Sequence, residues 1–171
     1  VGMIEDSLRR IAKLEEWPQI DIVASPKEFG YRSRAEFQVS AENHLVGYFA
    51  DNSKTIIDIE RCPLLTDTAN MLLQTLRDDV EAGLVPASAR EYRAVAGDFG
   101  TALEQTSTQR SAILQQRVGE FDYRFSAESF FQANIDIAAE LVKGVMQIAT
   151  EARAEKGYAV DLYAGVGLFS L

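Results

Sequence analysis

Tyr31-Arg32-Ser33-Arg34-Ala35-Glu36-Phe37-Gln38-Val39 alternates in polarity along its length, and that alternation decides the fold class. On an extended strand successive side chains face opposite ways. Tyr31, Ser33, Ala35, Phe37 and Val39 therefore share one face, and Arg32, Arg34, Glu36 and Gln38 share the other. The spacing predicts a half-buried strand with two arginines on its polar side. The polar turn Ala41-Glu42-Asn43-His44 sends the chain back through Leu45 to Phe49 as the second strand of a hairpin. His44, the single histidine, is expected to be an exposed turn residue, since no convergent partners accompany it.

Working outward, the same pattern recurs. A turn over 51–54 precedes a third strand, Thr55 to Ile59, and Gly97-Asp98-Phe99-Gly100 joins Arg90–Ala96 to Thr101–Thr106. Gly119-Glu120 joins Ser111–Val118 to Phe121–Phe125. Between these hairpins Leu65, Ala69, Leu72, Leu73, Leu76 and Val80 recur at helical spacing over 64–82, with Pro63 in the first turn and Gly83 as the stop. Upstream, 3–15 reads as an amphipathic helix ended by Trp17-Pro18, with a short strand expected at Ile20 to Val23. A helix set among antiparallel hairpins is an α+β arrangement.

From Asn134 the pattern changes. Ile135, Ala138, Ala139, Val142, Val145, Met146 and Ala149 keep helical register behind an Asn N-cap. A buried strand is expected at Tyr158 to Tyr163, followed by Gly165-Val166-Gly167. Helix, buried strand and glycine loop is how a Rossmann-like doubly wound sheet begins. The boundary is therefore placed near Ala127, with a central α+β domain over 1–127 and the start of a cofactor-binding domain over 128–171. With its first residue Val1 and its last, Leu171, inside a motif, the sequence reads as a piece of a longer protein.

Composition narrows the function. The 171 residues are 47% hydrophobic, enough for a real core. Lys+Arg 17 against Asp+Glu 26 gives a net charge of −9, which excludes a broad unspecific nucleic-acid surface and leaves any RNA contact local. One cysteine, Cys62, excludes an internal disulfide and suits a reducing compartment, so the expected address is the cytoplasm. No apolar run reaches the ~20 residues of a membrane span. At the start of a helix the Cys62 thiolate would be favoured by the helix dipole; a small buried hydrophobe is the equal alternative. Arg32 and Arg34 fit phosphate contact, or a solvated face paired with Glu36. The Gly165-Val166-Gly167 loop alone is shared by nicotinamide, flavin and S-adenosylmethionine binders, and Ser170 stands where a dinucleotide fingerprint asks for a third small residue.

Four motifs in order narrow these alternatives: Tyr31-Arg32-x-Arg34-Ala35-Glu36-Phe37; Ile57-Asp58-Ile59-Glu60-Arg61-Cys62-Pro63-Leu64-Leu65; Ser129-Phe130-Phe131-Gln132-Ala133-Asn134; and Asp161-Leu162-Tyr163-Ala164-Gly165-Val166-Gly167-Leu168-Phe169-Ser170. In order and spacing the set resembles the bacterial RNA (uracil-C5) methyltransferases of 23S rRNA and tRNA. The resemblance covers the central domain and the threshold of the methyltransferase domain. It implies S-adenosylmethionine contacts by Gln132, Tyr163, Gly165, Gly167 and Asp161, and an aromatic, Phe130, packing near the flipped target base or the cofactor. It also implies RNA-facing roles for Arg32 and Arg34, and a place for Cys62 as the fourth ligand of a 4Fe-4S cluster in the rRNA branch. The implied chemistry is addition of a cysteine thiolate to uracil C6, attack of C5 on the cofactor methyl, and removal of the C5 proton by a base. That nucleophile and base are expected beyond Leu171, so no catalytic residue is assigned in this chain. The expectation is a monomeric RNA uracil-C5 methyltransferase fragment, inactive alone, with 23S rRNA the preferred target. The alternative is a non-catalytic RNA-binding or interaction module.

Overall fold

The computed structural model describes residues 1–107, 109, 111–152, 158 and 160–170. Its elements in chain order are α1 (Gly2–Arg10), β1 (Arg34–Ser40), β2 (Leu45–Phe49), β3 (Ile56–Asp58), α2 (Asp67–Glu81), β4 (Glu91–Ala96), β5 (Thr101–Gln105), β6 (Ile113–Val118), β7 (Phe121–Ser126) and α3 (Ile135–Glu151). The first five strands form one antiparallel sheet in the order β3-β2-β1-β4-β5, and β6 and β7 pair as a separate hairpin. The antiparallel α+β architecture expected from the hairpins is the one observed.

The alternation in β1 works as the pattern requires. Ala35, Phe37 and Val39 are buried, whereas Glu36 is exposed. The buried side meets Ala69, Leu73, Leu76 and Val80 of α2, and Val46 and Ala94 of the flanking strands complete this first core. Each fully buried Leu contributes about 1.5–3 kcal/mol relative to exposure. On the opposite face of the sheet, Val95 and Ala102 meet Leu114, Val118, Tyr123 and Phe125 of the β6–β7 hairpin and Ala138 and Val142 of α3, forming a second core. The order is thus α2, five-stranded sheet, then hairpin with α3.

Two glycines permit backbone approaches that a side chain would block. A Cβ on Gly47 would lie 1.9 Å from the Ile57 carbonyl oxygen, so only glycine lets β3 close on β2 there. On Gly97 it would lie 2.6 Å from the Gln115 carbonyl oxygen. That contact seats the β4–β5 turn on β6, where Phe99 and Gln115 exchange backbone hydrogen bonds at 3.2 and 3.1 Å.

Four expected elements differ. The stretch Ile20 to Val23 forms no strand, and Ile22 and Val23 are exposed, because no neighbouring strand among the described residues offers it a ladder. Helix α2 starts at Asp67 and not at Pro63: the Thr66 side chain caps it by accepting from the Ala69 amide at 3.2 Å, leaving Cys62 in the preceding loop. At 158–163 the described residues form no strand, and Tyr158, Val160, Leu162 and Tyr163 are exposed where a buried strand was expected. An apolar run becomes a buried strand only when flanking strands pair with it, and the described residues supply none. Finally, α1 ends at Arg10, earlier than the expected 15, and buries none of its residues.

Candidate functional site

The Arg32–Arg34 stretch leading into β1 is wedged between the loops that precede α2 and α3. Toward α2, the Arg32 amide donates to the Leu64 carbonyl at 2.8 Å and the Thr66 amide donates to the Arg32 carbonyl at 3.0 Å. Toward α3, the Ser33 amide and hydroxyl both donate to the Ala133 carbonyl, at 2.9 and 3.1 Å, and Arg32 bridges Asn134. The Arg34 guanidinium donates through Nη1 to the Ser129 carbonyl at 2.7 Å and through Nη2 to the Ala127 carbonyl at 3.0 Å. Burial, and then the nearby Arg93, lower its pKa from the ordinary arginine value, and Glu36 opposes them.

The loop so held carries Phe130, Phe131 and Gln132. Phe131 is 4% exposed, stacked on Phe125 at 4.5 Å between ring centroids and edge-on to Tyr123 at 5.8 Å. With Phe131 inward, Phe130 turns out to 76% exposure and Gln132 is half-buried. Asn134 caps α3 by accepting from the Ile137 amide at 3.2 Å, which fixes where the loop ends.

Phe130, Phe131 and Gln132 form the wall between two cavities. One, of about 630 Å³, is lined on its other sides by Arg32, Arg34, Glu36, Tyr48 and Glu128. The second, of about 140 Å³, is closed by Tyr163, Ala164, Gly165, Val166, Leu168 and Phe169. Tyr163, Gly165 and Gly167 all adopt left-handed backbone, with φ of 62°, 58° and 76°. Two glycines make that cheap, and the turns close with Gly167 amide to Ala164 carbonyl at 2.8 Å and Ser170 amide to Gly167 carbonyl at 3.0 Å. Asp161 accepts from the Ser170 hydroxyl at 2.7 Å, and the Tyr123 hydroxyl donates to the Leu168 carbonyl at 2.9 Å.

The structure thus brings Phe130, Gln132, Tyr163 and Gly165 to one cavity, and Phe130, Arg32 and Arg34 to its neighbour. Tyr48 and Glu128 join the larger cavity unanticipated, and Ser33 and Tyr123 hold the surrounding loops without lining either cavity. The Tyr48 signal lay in strand register: it falls beside Phe37, the two rings 5.6 Å apart. Burial first, and then the neighbouring Cys62, push the Tyr48 phenol up to about 12, so it is a neutral donor at any physiological pH. His44 is an exposed turn residue in left-handed backbone, as expected, with Nδ1 3.2 Å from Glu81.

Cys62 neighbours Tyr48 but lines neither cavity. Its amide donates to Asn70 Oδ1 at 2.9 Å and its carbonyl accepts from Asn70 Nδ2 at 3.0 Å, so Asn70 ties the pre-helix loop to α2. A 4Fe-4S cluster takes about four thiolates. The sequence has one, and among the described residues no group of three His, Cys, Asp or Glu could hold a metal ion. The residues of this chain alone do not fit such a cluster. Among the described residues no helix is long and apolar enough to cross a membrane.

No protein-family model matches the chain. Comparison with curated proteins does find relatives: an uncharacterized RNA methyltransferase of Aquifex aeolicus is 26% identical over 204 residues, covering 97% of this chain and 46% of its own length. The 23S rRNA (uracil(1939)-C(5))-methyltransferase of Methylococcus capsulatus is 25% identical over 212 residues, covering 99% of this chain and 47% of its own. Among solved structures, the Pyrococcus abyssi tRNA (uracil-54, C5)-methyltransferase in complex with S-adenosyl-L-homocysteine shares the fold, with a TM-score of 0.69 at 20% identity over 96% of this chain and 50% of that one. This chain spans about half the length of these relatives. The resemblance carried by its four motifs is borne out.

Proposed function

Given a chain similar along nearly its whole length to RNA methyltransferases, one of them a 23S rRNA uracil-C5 methyltransferase, we propose that it is the central part of an enzyme of that kind, using S-adenosylmethionine to methylate uracil C5, with 23S rRNA as the target and the tRNA T-loop as the competing one. The observation that carries this is the shared wall: Phe130 and Gln132 stand between a cavity closed by the glycine loop and a cavity lined by arginine and tyrosine. In this reading 1–127 is the RNA-facing central domain and 128–171 begins the Rossmann-like cofactor domain.

When bound, S-adenosylmethionine supplies the methyl group. On the smaller cavity's side, Gln132 offers an amide to it, Tyr163 an aromatic face, and Gly165 a backbone free of a side chain, while Gly167 shapes the turn behind it. Asp161 contributes by holding the loop through Ser170. Some 140 Å³ encloses only part of such a cofactor. On the larger cavity's side, exposed Phe130 offers a plane for an extruded base, and Arg32 a charge for RNA. Glu36 and Glu128 line the same cavity, so Arg32 offers one local positive charge within an acidic chain.

Titration of S-adenosylhomocysteine into the full-length protein tests the reading. Gln132→Ala is expected to weaken binding about tenfold, the worth of one well-made hydrogen bond in a partly buried site. Unchanged affinity removes Gln132 from the site, and no binding by the wild type leaves the non-catalytic RNA-binding module.

A further inference from the structure

Arg34 occupies a place that the two-arginine pattern does not explain. An arginine that contacts phosphate keeps its guanidinium fork open toward solvent. Here the fork is already spent inward: Nη1 and Nη2 reach two backbone carbonyls, Ser129 and Ala127, on either side of Glu128. Both bonds are charge-assisted, and both acceptors lie on the segment that immediately precedes Phe130. The far end of the same segment is held by Ser33 at Ala133. Phe130, Phe131 and Gln132 are thus suspended between two anchors on one stretch of chain, residues 33 and 34. Arg32 differs: among the described residues its Nε donates to the Arg34 carbonyl, two residues along the chain, at 3.0 Å.

We propose that Arg34 is a positioning residue and not an RNA ligand: its guanidinium clamps residues 127–129 to β1 and so sets the placement of Phe130 and Gln132 on the wall between the two cavities. Its consequence for catalysis rests on the methyltransferase reading above; its consequence for the loop does not. A planar fork suits two carbonyls two residues apart, whereas a lysine ammonium is a single point of donation on a flexible stem. Arg34→Lys therefore keeps the charge and loses the fork.

Three readouts on the full-length protein separate the roles. Amide hydrogen exchange, which needs neither cofactor nor RNA, is expected to speed up at least tenfold across 128–133 in Arg34→Ala and in Arg34→Lys, with α2 and the first core unchanged. Titrated with S-adenosylhomocysteine, both variants are expected to bind about tenfold more weakly, while the salt dependence of RNA binding keeps the wild-type slope. A phosphate contact behaves oppositely: Arg34→Ala would lower that slope by about one and Arg34→Lys would restore it. The proposal is overturned if 128–133 exchanges as in the wild type, or if Arg34→Lys recovers full cofactor affinity. A wild type that binds no S-adenosylhomocysteine counts against the methyltransferase reading, and the exchange result then decides the clamp by itself.

Discussion

The two stretches that close the smaller cavity are built in opposite ways. Residues 127–134 are gripped at both ends by β1 and its approach, with Phe131 driven into the second core. Residues 160–170 hold their shape through local turns and touch the rest of the protein through the Tyr123 hydroxyl and the Leu168 and Val166 side chains. Tyr163 is fully exposed. A rigid half of a site can be fixed by an antiparallel sheet already complete in itself, whereas a glycine loop depends on the strand that leads into it, and that strand depends on neighbours.

The difference can be broken at its strongest point. Phe131→Ala removes a ring buried against Phe125 and Tyr123, and a loss of about 3–5 kcal/mol is expected in urea unfolding. A cost below 1 kcal/mol would mean that the loop is held by its backbone hydrogen bonds alone. Tyr123→Phe deletes only the hydroxyl that reaches Leu168; about 1 kcal/mol is expected, read locally as faster amide exchange in 166–170 with 127–134 unaffected. Equal acceleration in both stretches would show that they open as one unit.

The smallest effect concerns the sheet that anchors the rigid half. Asp58 accepts from Arg77 Nη1 at 2.6 Å and from the Val46 amide at 2.8 Å, and the Arg77 bond holds its carboxyl below the ordinary range. With the folded pKa depressed, this contribution is complete above the unfolded carboxylate value of about 4 and is lost as pH falls through the lower folded value. Both groups are partly exposed, so about 0.5–1 kcal/mol is expected, seen as an acid-side decrease in stability that Asp58→Asn abolishes.

How far residues alone carried the structure follows from the range of the forces involved. Phe37 and Val39 announced their face through a two-residue period, and Leu73, Leu76 and Val80 through a helical one, because both patterns are local. The helical pattern opens α2 at Pro63, whereas the structure opens it at Asp67 behind the Thr66 cap, because proline and threonine can each begin a helix and only the position of the Ala69 amide selects between them. Tyr158 to Tyr163 looked buried because apolar composition reports what a segment could bury, not what is present to bury it. At the candidate site, motif resemblance points to Phe130 and Gln132, whereas Tyr48 is signalled only by its register beside Phe37, and Ser33 and Glu128 leave no pattern of their own.

What the sequence determined by itself is therefore the list of parts: the antiparallel strands, the two long helices, the Asn134 cap and the four ordered motifs that led to RNA uracil-C5 methyltransferases. Only tertiary structure decided that Arg32 and Arg34, neighbours on one polar face of the sequence pattern, make different contacts. A guanidinium takes its role from the acceptors within its reach, and the carbonyls of Ala127 and Ser129 lie 93 and 95 residues away in the chain. No periodicity spans that distance.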